Sequence, residues 1–472
     1  MNTINILLVL LAVTAFNSNQ EKVKSSASKT GEKQTYIQVQ ARRKTTAAYE
    51  SFDTRTVETL LGYKPSKKPA KLSKYGGWLE KKDVATGFFH VKKIGSRWWG
   101  IDPDGYLYIN SGLNSITMGG SERNKKAIID KFGSSGNWML QTINMLLDNG
   151  FNCAGSWSST QAIIEANKKT AKPFAYTINL NFMSSYGKQR GGTFQQPGHT
   201  GYPGDAIFAF DPEWETFCDS HAKEVAAYKN DPSLFGYFSD NEMPFRFKSL
   251  DNYLALPEKD PGHIAAAKWL GEQGITKEQI TDKHREAFMA VVADRYFSPV
   301  AKALKKYDPN HMYIGARFYS SEKNYPMFME TAGKYLDIIS NNYYGKWTPD
   351  STDMANWTKW SGKPFIVTEY YTKGEDSGMP NTSGAGWIVK TQRDRGLFYQ
   401  NYNLALLESK NCVGWHYFKY QDNDPTATGV DPSNTDSNKG IVNNFYEVWT
   451  PVMELMKEFN TQVYNIIQHF DR

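Results

Sequence analysis

The sequence predicts an α/β protein, a (β/α)8 TIM barrel with a short N-terminal extension and long loops after some of its strands. From about Gly76 onward, short runs of β-branched and aromatic residues alternate with longer amphipathic stretches. This alternation is typical of a parallel sheet with crossover helices. Eight such runs can be counted, each followed by a gap long enough for a helix. Eight strand-helix units close a barrel, with functional residues at the carboxyl ends of the strands.

A hairpin over residues 87–104, with an Asp-Pro-Asp-Gly turn at residues 102–105, is expected to cover the barrel floor. The predicted strands are residues 106–113, 151–157, 174–182, 234–241, 312–318, 337–344, 364–370 and 413–420. Two gaps, 183–233 and 243–286, are unusually long. Long loops after strands are where barrel proteins build binding grooves.

The first 75 residues differ in character from the remainder. Residues 4–15 (INILLVLLAVTA) form an uncharged apolar run too short to span a bilayer, which predicts a signal peptide at residues 1–15. A bacterial protein with this segment is expected to be secreted or periplasmic. Residues 16–75 are basic and have few large apolar side chains, which predicts a poorly ordered segment. No later segment approaches the length of a membrane span.

Composition narrows the possible functions. The net charge of +6 is spread over 472 residues and derives largely from residues 22–82, so we predict no nucleic-acid partner. A mildly basic surface would weakly favour an anionic polysaccharide. Aromatic residues make up 14% of the chain, which suits stacking on sugar rings, although many of them also fill a large core. The oligomeric state is left open.

No cofactor or metal is predicted. Cys153, Cys218 and Cys412 are too few and too widely spaced for a disulfide framework or a zinc site. Asp422 and Asp424 have a spacing found in cation ligands, but the surrounding loop lacks the other positions of an EF-hand.

Two of the predicted strands end in glutamate. The fourth ends in Ser-Asp-Asn-Glu242, and the seventh ends in Ile-Val-Thr-Glu369. Strands four and seven lie on opposite sides of a barrel mouth, so the two carboxyl groups can flank one glycosidic bond. At a separation of about 5–5.5 Å, one carboxyl group protonates the leaving oxygen and the other attacks the anomeric carbon. We assign Glu242 as acid/base and Glu369 as nucleophile, with Asp240 as the alternative acid; a solvated or helix-capping glutamate is the non-catalytic alternative.

Four segments carry a resemblance to a known family. Residues 87–114, 234–243 (LFGYFSDNEM), 364–369 (PFIVTE) and 413–422 (VGWHYFKYQD) resemble glycoside hydrolase family 50, the β-agarases, and the likeness extends from about residue 76 to 459. It implies a catalytic domain over residues 76–472. The activity it implies is retaining hydrolysis of β-1,4 bonds in agarose, often with disaccharides released from a chain end. The partner is then a polysaccharide or oligosaccharide, and Asn241 hydrogen-bonds the sugar 2-hydroxyl.

The region before Gly76 is too short for the large carbohydrate-binding module common in such agarases, so agarose, porphyran and other red-algal galactans remain alternatives. A β-galactosidase or β-mannanase-like hydrolase would use the same machinery on another sugar. A non-catalytic carbohydrate-binding barrel is the alternative from a different class, but binding alone requires no paired carboxylates.

Further residues are expected to support the pair. Tyr343 or Tyr344, at the end of strand six, is expected to donate a hydrogen bond to Glu369, with core packing as the alternative. Trp415 and His416 on strand eight are expected to form the floor under the sugar. Because neighbours on a strand face opposite sides, one of these two is expected in the core.

Weaker signals complete the set of candidate substrate-binding residues. Arg317 on strand five is expected to orient Glu242 or a substrate hydroxyl, or to form a structural ion pair. His199, in the Gly-rich third loop, is either a sugar ligand or a solvated side chain. Asn114 and Trp157, at the ends of strands one and two, are expected to line the floor, and Asn342 is a further candidate substrate-binding residue.

Overall fold

The computed structural model describes residues 33–472, so the predicted signal peptide lies outside the described range. The strands are β1 (Ile37–Arg42), β2 (Glu50–Thr54), β3 (Trp78–Lys82), β4 (His90–Ile94), β5 (Arg97–Ile101), β6 (Tyr106–Tyr108), β7 (Asn110–Leu113), β8 (Cys153–Ala154), β9 (Ala175–Asn179), β10 (Phe194–Gln196), β11 (His199–Gly201), β12 (Leu234–Phe238), β13 (Met312–Tyr313), β14 (Ile339–Asn342), β15 (Phe365–Glu369), β16 (Thr372–Gly374), β17 (Trp387–Val389) and β18 (Cys412–Tyr417). The α-helices are α1 (Glu122–Phe132), α2 (Ser135–Asp148), α3 (Thr160–Asn167), α4 (Phe182–Arg190), α5 (Trp214–His221), α6 (Ser249–Leu254), α7 (Pro261–Glu272), α8 (Asp282–Tyr307), α9 (Pro326–Tyr335), α10 (Ser351–Ser361), α11 (Gln392–Glu408) and α12 (Thr450–Phe470).

Eight parallel strands form the central sheet, in the order β13-β12-β9-β8-β7-β18-β15-β14. The two outer strands are joined by a parallel bridge between Phe318 and Asn341 and by a hydrogen bond from Asp337 N to Tyr313 O (2.9 Å). The sheet therefore closes on itself in the manner of a (β/α)8 barrel. Each sheet strand falls within a predicted one, except that β18 begins one residue early.

The first predicted strand is divided in two. Residues 106–108 form β6, which pairs antiparallel with β5 in a separate four-stranded sheet of order β3-β6-β5-β4. Only β7 enters the barrel. The ring of Phe89, beside the β4–β5 hairpin, lies 5.0 Å from that of Tyr108 and 5.5 Å from that of Phe235. This small sheet therefore closes the barrel floor with aromatic contacts.

The expectation of a poorly ordered segment before residue 76 is wrong for residues 33–75. Here β1 and β2 join β16 and β17 in a sheet of order β16-β17-β1-β2, with Ala41 opposite Val389. Val39 and Ala41 are buried, and Thr54 accepts a hydrogen bond from the indole of Trp347 (3.0 Å). Pairing with β17, more than 300 residues later in the chain, orders a segment whose own composition has few large apolar residues.

The two long gaps hold more regular structure than a loop. Residues 183–233 include most of α4 and all of α5, and residues 243–286 include α6, α7 and the start of α8. The irregular part of the first gap contains the β10–β11 hairpin, which reaches over the barrel mouth. No helix within residues 33–472 combines the length and the apolar character needed to cross a bilayer.

The packing of β1 gives a prediction about stability. Val39→Asp places a carboxylate with no partner in the buried face of β1, which costs about 3 kcal/mol or more. Gln40→Asp, at the exposed neighbouring position, is the matched control. Thermal unfolding monitored by circular dichroism is expected to show a much lower Tm for V39D than for Q40D. Equal values for the two variants would mean that β1 does not contribute to the folded core.

Candidate active site

A cavity of about 710 Å³ opens at the carboxyl ends of the barrel strands. Its walls come mainly from segments that follow strands β7, β9, β12, β15 and β18. Glu242 and Glu369 both line it. A deep cavity at this end of a barrel is the usual position of a substrate site.

Glu369 is the last residue of β15 and is only 6% exposed. One carboxylate oxygen accepts a hydrogen bond from Nη2 of Arg317 (2.6 Å), and the other accepts one from the hydroxyl of Tyr344 (2.6 Å). Burial raises the pKa of Glu369 to about 7, the positive charge of Arg317 opposes the rise, and the negative charge of Glu242 adds to it. Both donors favour the ionised carboxylate and fix its direction.

Glu242 lies four residues beyond the end of β12 and is 8% exposed. Its Oε1 accepts a hydrogen bond from Nδ2 of Asn342 (2.8 Å), and its Oε2 is 3.5 Å from Nδ1 of His199. The same Nδ2 of Asn342 also lies 3.3 Å from Oδ1 of Asn241. Glu242 thus accepts its hydrogen bond from a neutral amide, whereas Glu369 accepts one from a cation and one from a hydroxyl.

Five non-glycine residues around the cavity have a left-handed backbone, namely Ser115 (φ 56°), Asn181 (φ 57°) and three with larger side chains. Trp157, Glu242 and Arg317 have φ values of 58°, 52° and 55°, in the left-handed region that disfavours side chains of their size. Each such residue costs about 1–3 kcal/mol and persists only where the surrounding structure imposes it. A residue with left-handed backbone thus follows each of barrel strands one to five where it opens onto the cavity.

Trp157 supplies an aromatic surface in the cavity. Its side chain is 41% exposed, and the guanidinium of Arg317 lies 4.3 Å from its ring centroid. The ring of Phe418 meets it edge-on at 6.0 Å. A flat ring fixed from below by a cation is suited to stack against the apolar face of a sugar.

Comparison with known proteins identifies the family. The crystal structure of BpGH50 superposes with a TM-score of 0.83 at 32% sequence identity, over 93% of this chain and 96% of that chain. The chain belongs to glycoside hydrolase family 50.

More distant family 50 relatives agree with this assignment. β-Agarase B of Vibrio sp. strain JT0107 is 25% identical over 498 residues, which cover 83% of this chain and 50% of that protein. The structure of an exo-β-agarase has a TM-score of 0.69 at 22% identity, over 84% of this chain and 68% of that chain, and supports the fold. The chain spans about half or less of the curated relatives it matches. No family model matches the chain.

Two of the predicted site residues face away from the cavity in this family 50 barrel. Tyr343 donates its hydroxyl hydrogen to Asp353 (2.6 Å), while Trp415 is fully buried and donates from its indole to the hydroxyl of Tyr399 (2.9 Å). Consecutive side chains of a strand alternate in direction. Tyr344 therefore makes the hydrogen bond to Glu369, and Tyr343 and Trp415 belong to the packing outside the barrel strands.

Asn114 and His416 lie under the cavity rather than on its surface. Asn114 donates from Nδ2 to the carbonyl of Thr368 (2.7 Å), and Nε2 of His416 is 3.1 Å from Oδ1 of Asn110. Both side chains are fully buried. Burial and the nearby charge of Arg317 lower the pKa of His416 to about 3, so its ring is neutral at physiological pH. These residues support the floor and do not form it.

Arg317 and Asn342 are also buried below the surface of the cavity. Neither side chain lines the cavity, so the expectation that Asn342 binds substrate does not hold there, while Arg317 forms the structural ion pair that the sequence offered as its alternative. Arg317 contacts Glu369 rather than Glu242, and Asn342 contacts Glu242. By contrast, Asn241, Trp157, His199 and Tyr344 do line the cavity.

Asp240, the alternative acid, is already saturated with donors. Its carboxylate accepts hydrogen bonds from the backbone N–H groups of Met183 (2.8 Å) and Ser184 (3.1 Å) and from the hydroxyl of Tyr296 (2.6 Å). Burial raises its pKa to about 6, and these donors oppose the rise. Asp240 thus accepts the free backbone N–H groups at the N-terminus of α4. Glu242 is left as the carboxyl group beyond strand four that faces the cavity without such partners.

Sequence reasoning missed several residues that line the cavity: Tyr319, Tyr371, Phe418, Lys419, Asn423 and Lys439. The hydroxyl of Tyr319 is 3.4 Å from Nε2 of His199, on the side of that ring opposite Glu242. Tyr319 lies two residues beyond Arg317, and Phe418 directly follows β18. Because residues just past the ends of barrel strands face the active-site end, the positions of Tyr319 and Phe418 could have indicated that they line the cavity.

Replacement of Asp240 tests its structural role. Asp240→Asn places an amide NH2 against a donor, leaves a buried hydrogen-bonding group unsatisfied, and is expected to cost about 1–3 kcal/mol of unfolding free energy. Asp294→Asn is the matched control, because Asp294 accepts from the hydroxyl of Tyr335 in a less buried position. Denaturant unfolding measures both. A loss in D240N no greater than in D294N would contradict the assignment.

Proposed function

We propose that this protein is a retaining, exo-acting β-agarase that hydrolyses β-1,4-galactosidic bonds of agarose or a related red-algal galactan. The observation that carries the proposal is the pair of buried glutamates, Glu242 and Glu369, lining one cavity of a family 50 barrel. The names of its relatives support the substrate class, since two are β-agarases and one is an exo-β-agarase.

The hydrogen bonds around the two carboxyl groups favour distinct roles. Arg317 and Tyr344 stabilise the anion of Glu369 and aim it, as a nucleophile requires. Glu242 has only the neutral amide of Asn342 within hydrogen-bonding distance of Oε1. In our proposal Glu242 protonates the leaving oxygen while Glu369 bonds to the anomeric carbon. Glu242 then removes a proton from the water that hydrolyses the covalent glycosyl-enzyme.

Contacts between loops support action at a chain end. The carboxylate of Asp431, after strand eight, accepts hydrogen bonds from the backbone N–H of Gly198 (3.0 Å) and from the amide of Gln195 (2.8 Å), both in the third loop. The amide of Asn241 donates to the carbonyl of Gly198 (3.1 Å). The bonds to Asp431 join the loop after strand three to the loop after strand eight. A groove closed at one side by such a connection admits an end of a polysaccharide rather than its middle.

We also propose export, directed by the apolar run at residues 4–15. A polymeric galactan is too large to enter a cell, so the enzyme that shortens it must be secreted or periplasmic. Detection of the protein, without residues 1–15, in the medium or periplasm would support this part of the proposal.

The first test of the proposal replaces each glutamate. Glu369→Gln and Glu242→Gln are expected to lower turnover of agarose oligosaccharides by several orders of magnitude, because each removes one of the two groups that the reaction requires. Glu242→Gln is expected to change Tm little, whereas Glu369→Gln is expected to lower Tm because it leaves the buried charge of Arg317 without its partner. Glu330→Gln, at an exposed position on α9, is the matched control. Reducing-sugar release measures the rate.

Product analysis tests the remaining parts of the proposal. Chromatography of an early agarose digest is expected to show one disaccharide rather than a ladder, and NMR of the fresh product is expected to show the β anomer. Absence of release from agarose and sulfated red-algal galactans, with release from aryl galactosides or mannan, would overturn the substrate assignment. Binding without turnover on any glycan would favour a non-catalytic barrel.

The hydrogen bond from Tyr344 gives a prediction about pH. Tyr344→Phe removes a donor to the ionised form of Glu369 and so raises the pKa of that carboxyl group. Because the nucleophile must be ionised, the acidic limb of kcat/KM is expected to move to higher pH, by about one unit for a charge-assisted hydrogen bond. Tyr343→Phe is the matched control, since its hydroxyl bonds Asp353 outside the cavity. If the acidic limb of kcat/KM lies at the same pH in Y344F and Y343F, the role given to Tyr344 is contradicted.

A further inference from the structure

Three lysines lie together beside the cavity, and of these Lys373 and Lys439 are buried while Lys419 is half-buried. Lys373, Lys419 and Lys439 are close enough for the charges of the first two to lower the pKa of Lys439, and burial is the larger cause of that lowering. Within residues 33–472, none of the three has a carboxylate oxygen within 4.0 Å. Buried cations without a counter-ion are costly.

Two of these lysines belong to the cavity wall. Lys419 and Lys439 line the same cavity as Glu369, and their main chains are adjacent, since the N–H of Lys419 donates to the carbonyl of Lys439 (3.2 Å). Their ammonium groups lie 6.0 Å and 5.6 Å from the ring centroid of Phe418. Both side chains thus meet at one aromatic ring in the wall.

The hydrogen bonds of the three ammonium groups differ. Lys373 donates to the carbonyls of Asn381, Ser383 and Gly384 at 3.2, 3.0 and 3.2 Å, which uses all three of its N–H groups. Lys373 is therefore a structural residue that holds the 381–384 loop. The other two lysines are not satisfied in this way.

Lys439 donates to the carbonyl of Ser433 (2.6 Å) and to Oδ1 of Asn434 (2.7 Å), so one of its N–H groups has no acceptor. Among the described residues, Nζ of Lys419 has no hydrogen-bond acceptor at all. Four N–H donors on two cavity-lining lysines are therefore available to a ligand.

The carboxylates whose charge acts on these two lysines are Glu369, Asp422 and Asp431, and each is bonded to other groups. Glu369 is paired with Arg317. Asp422 accepts from the N–H of Gly440 (2.8 Å) and from the indole of Trp449 (2.9 Å). Asp431 joins the third and eighth loops through Gly198. None of the three acids approaches Lys419 or Lys439 within 4.0 Å, so the positive charge is left for something that enters the cavity.

We propose that Lys419 and Lys439 form a subsite for an anionic substituent on the sugar chain, a sulfate ester or a carboxylate. This inference rests on the proposed function, since it places a charged group of a galactan in the cavity that holds Glu242 and Glu369. A neutral galactan would leave the two lysines unpaired. An anion would accept their free N–H groups and offset the cost of burying them. Burial lowers the pKa of Lys419 to about 8, which still leaves it mostly protonated at neutral pH.

Binding to an inactive variant tests the subsite without relying on turnover. In the Glu369→Gln background, calorimetry compares galactan oligosaccharides of equal length that are neutral, sulfated or uronate-bearing. We expect at least one anionic oligosaccharide to bind tenfold or more tightly than the neutral one, with a preference that weakens as salt is added. The sulfated and uronate-bearing ligands distinguish the two sources of negative charge.

Charge replacement at Lys419 provides the decisive comparison. Adding Lys419→Met is expected to reduce the anionic-over-neutral preference tenfold or more, and Lys419→Arg is expected to preserve most of it. Lys334→Met, at an exposed position on α9, is the matched control and should leave the preference unchanged. Far-ultraviolet circular dichroism and Tm establish that each variant is folded.

The outcomes separate this inference from the proposed function. Equal affinity for neutral and anionic oligosaccharides, or a preference that survives K419M, overturns the subsite while hydrolysis of agarose by the wild type leaves the proposed function standing. Absence of turnover on every galactan, together with a preference that depends on Lys419, overturns the proposed activity and keeps the subsite. If no galactan oligosaccharide binds, both are overturned.

Discussion

The guanidinium of Arg317 and the carboxylate of Glu369 form an ion pair beneath the cavity, with the arginine fully buried. Burying either charge alone would be prohibitive, and breaking such a pair typically costs about 3–5 kcal/mol. Arg317 also donates to the carbonyl of Thr368 (3.1 Å) and lies against the rings of Trp157 and Phe238. One side chain thereby connects the ends of strands two, four, five and seven.

The strain at Arg317 follows from this position. Its left-handed backbone directs the guanidinium into the barrel, where Glu369 is the carboxylate that pairs with it. The same ion pair fixes the direction of Glu369, and the stacked guanidinium fixes Trp157. A change in Arg317, Glu369 or Trp157 therefore disturbs the other two. The aromatic surface of the cavity and the ion pair below it depend on each other.

Local sequence patterns were sufficient to predict the barrel and the glutamates at two of its strand ends. The period-2 alternation of a strand also predicts that one residue of a neighbouring pair faces inward, but it does not say which one. For Tyr343 and Tyr344 the answer depends on register with β15, where Asn342 lies opposite Glu369. Trp415 was misplaced for the same reason, since its direction is set by packing against Phe459 on α12.

Contacts between distant parts of the chain account for the features that the sequence did not predict. The lysines at 419 and 439 become neighbours only when the eighth loop folds back on strand eight. His199 reaches Glu242 only because the third loop bridges to Asp431. The order of residues 33–75 likewise depends on β17, more than 300 positions later.

The pairing of β1 with β17 also affects biosynthesis. At ribosomal rates of about 5–20 residues per second, Ala41 emerges roughly 20 seconds to a minute before Val389, its partner, has been translated. During that interval one edge of the β1–β2 hairpin has open backbone donors and acceptors, as an unpaired sheet edge does. The nascent chain thus carries an unpaired sheet edge that is covered only after translation has passed residue 389.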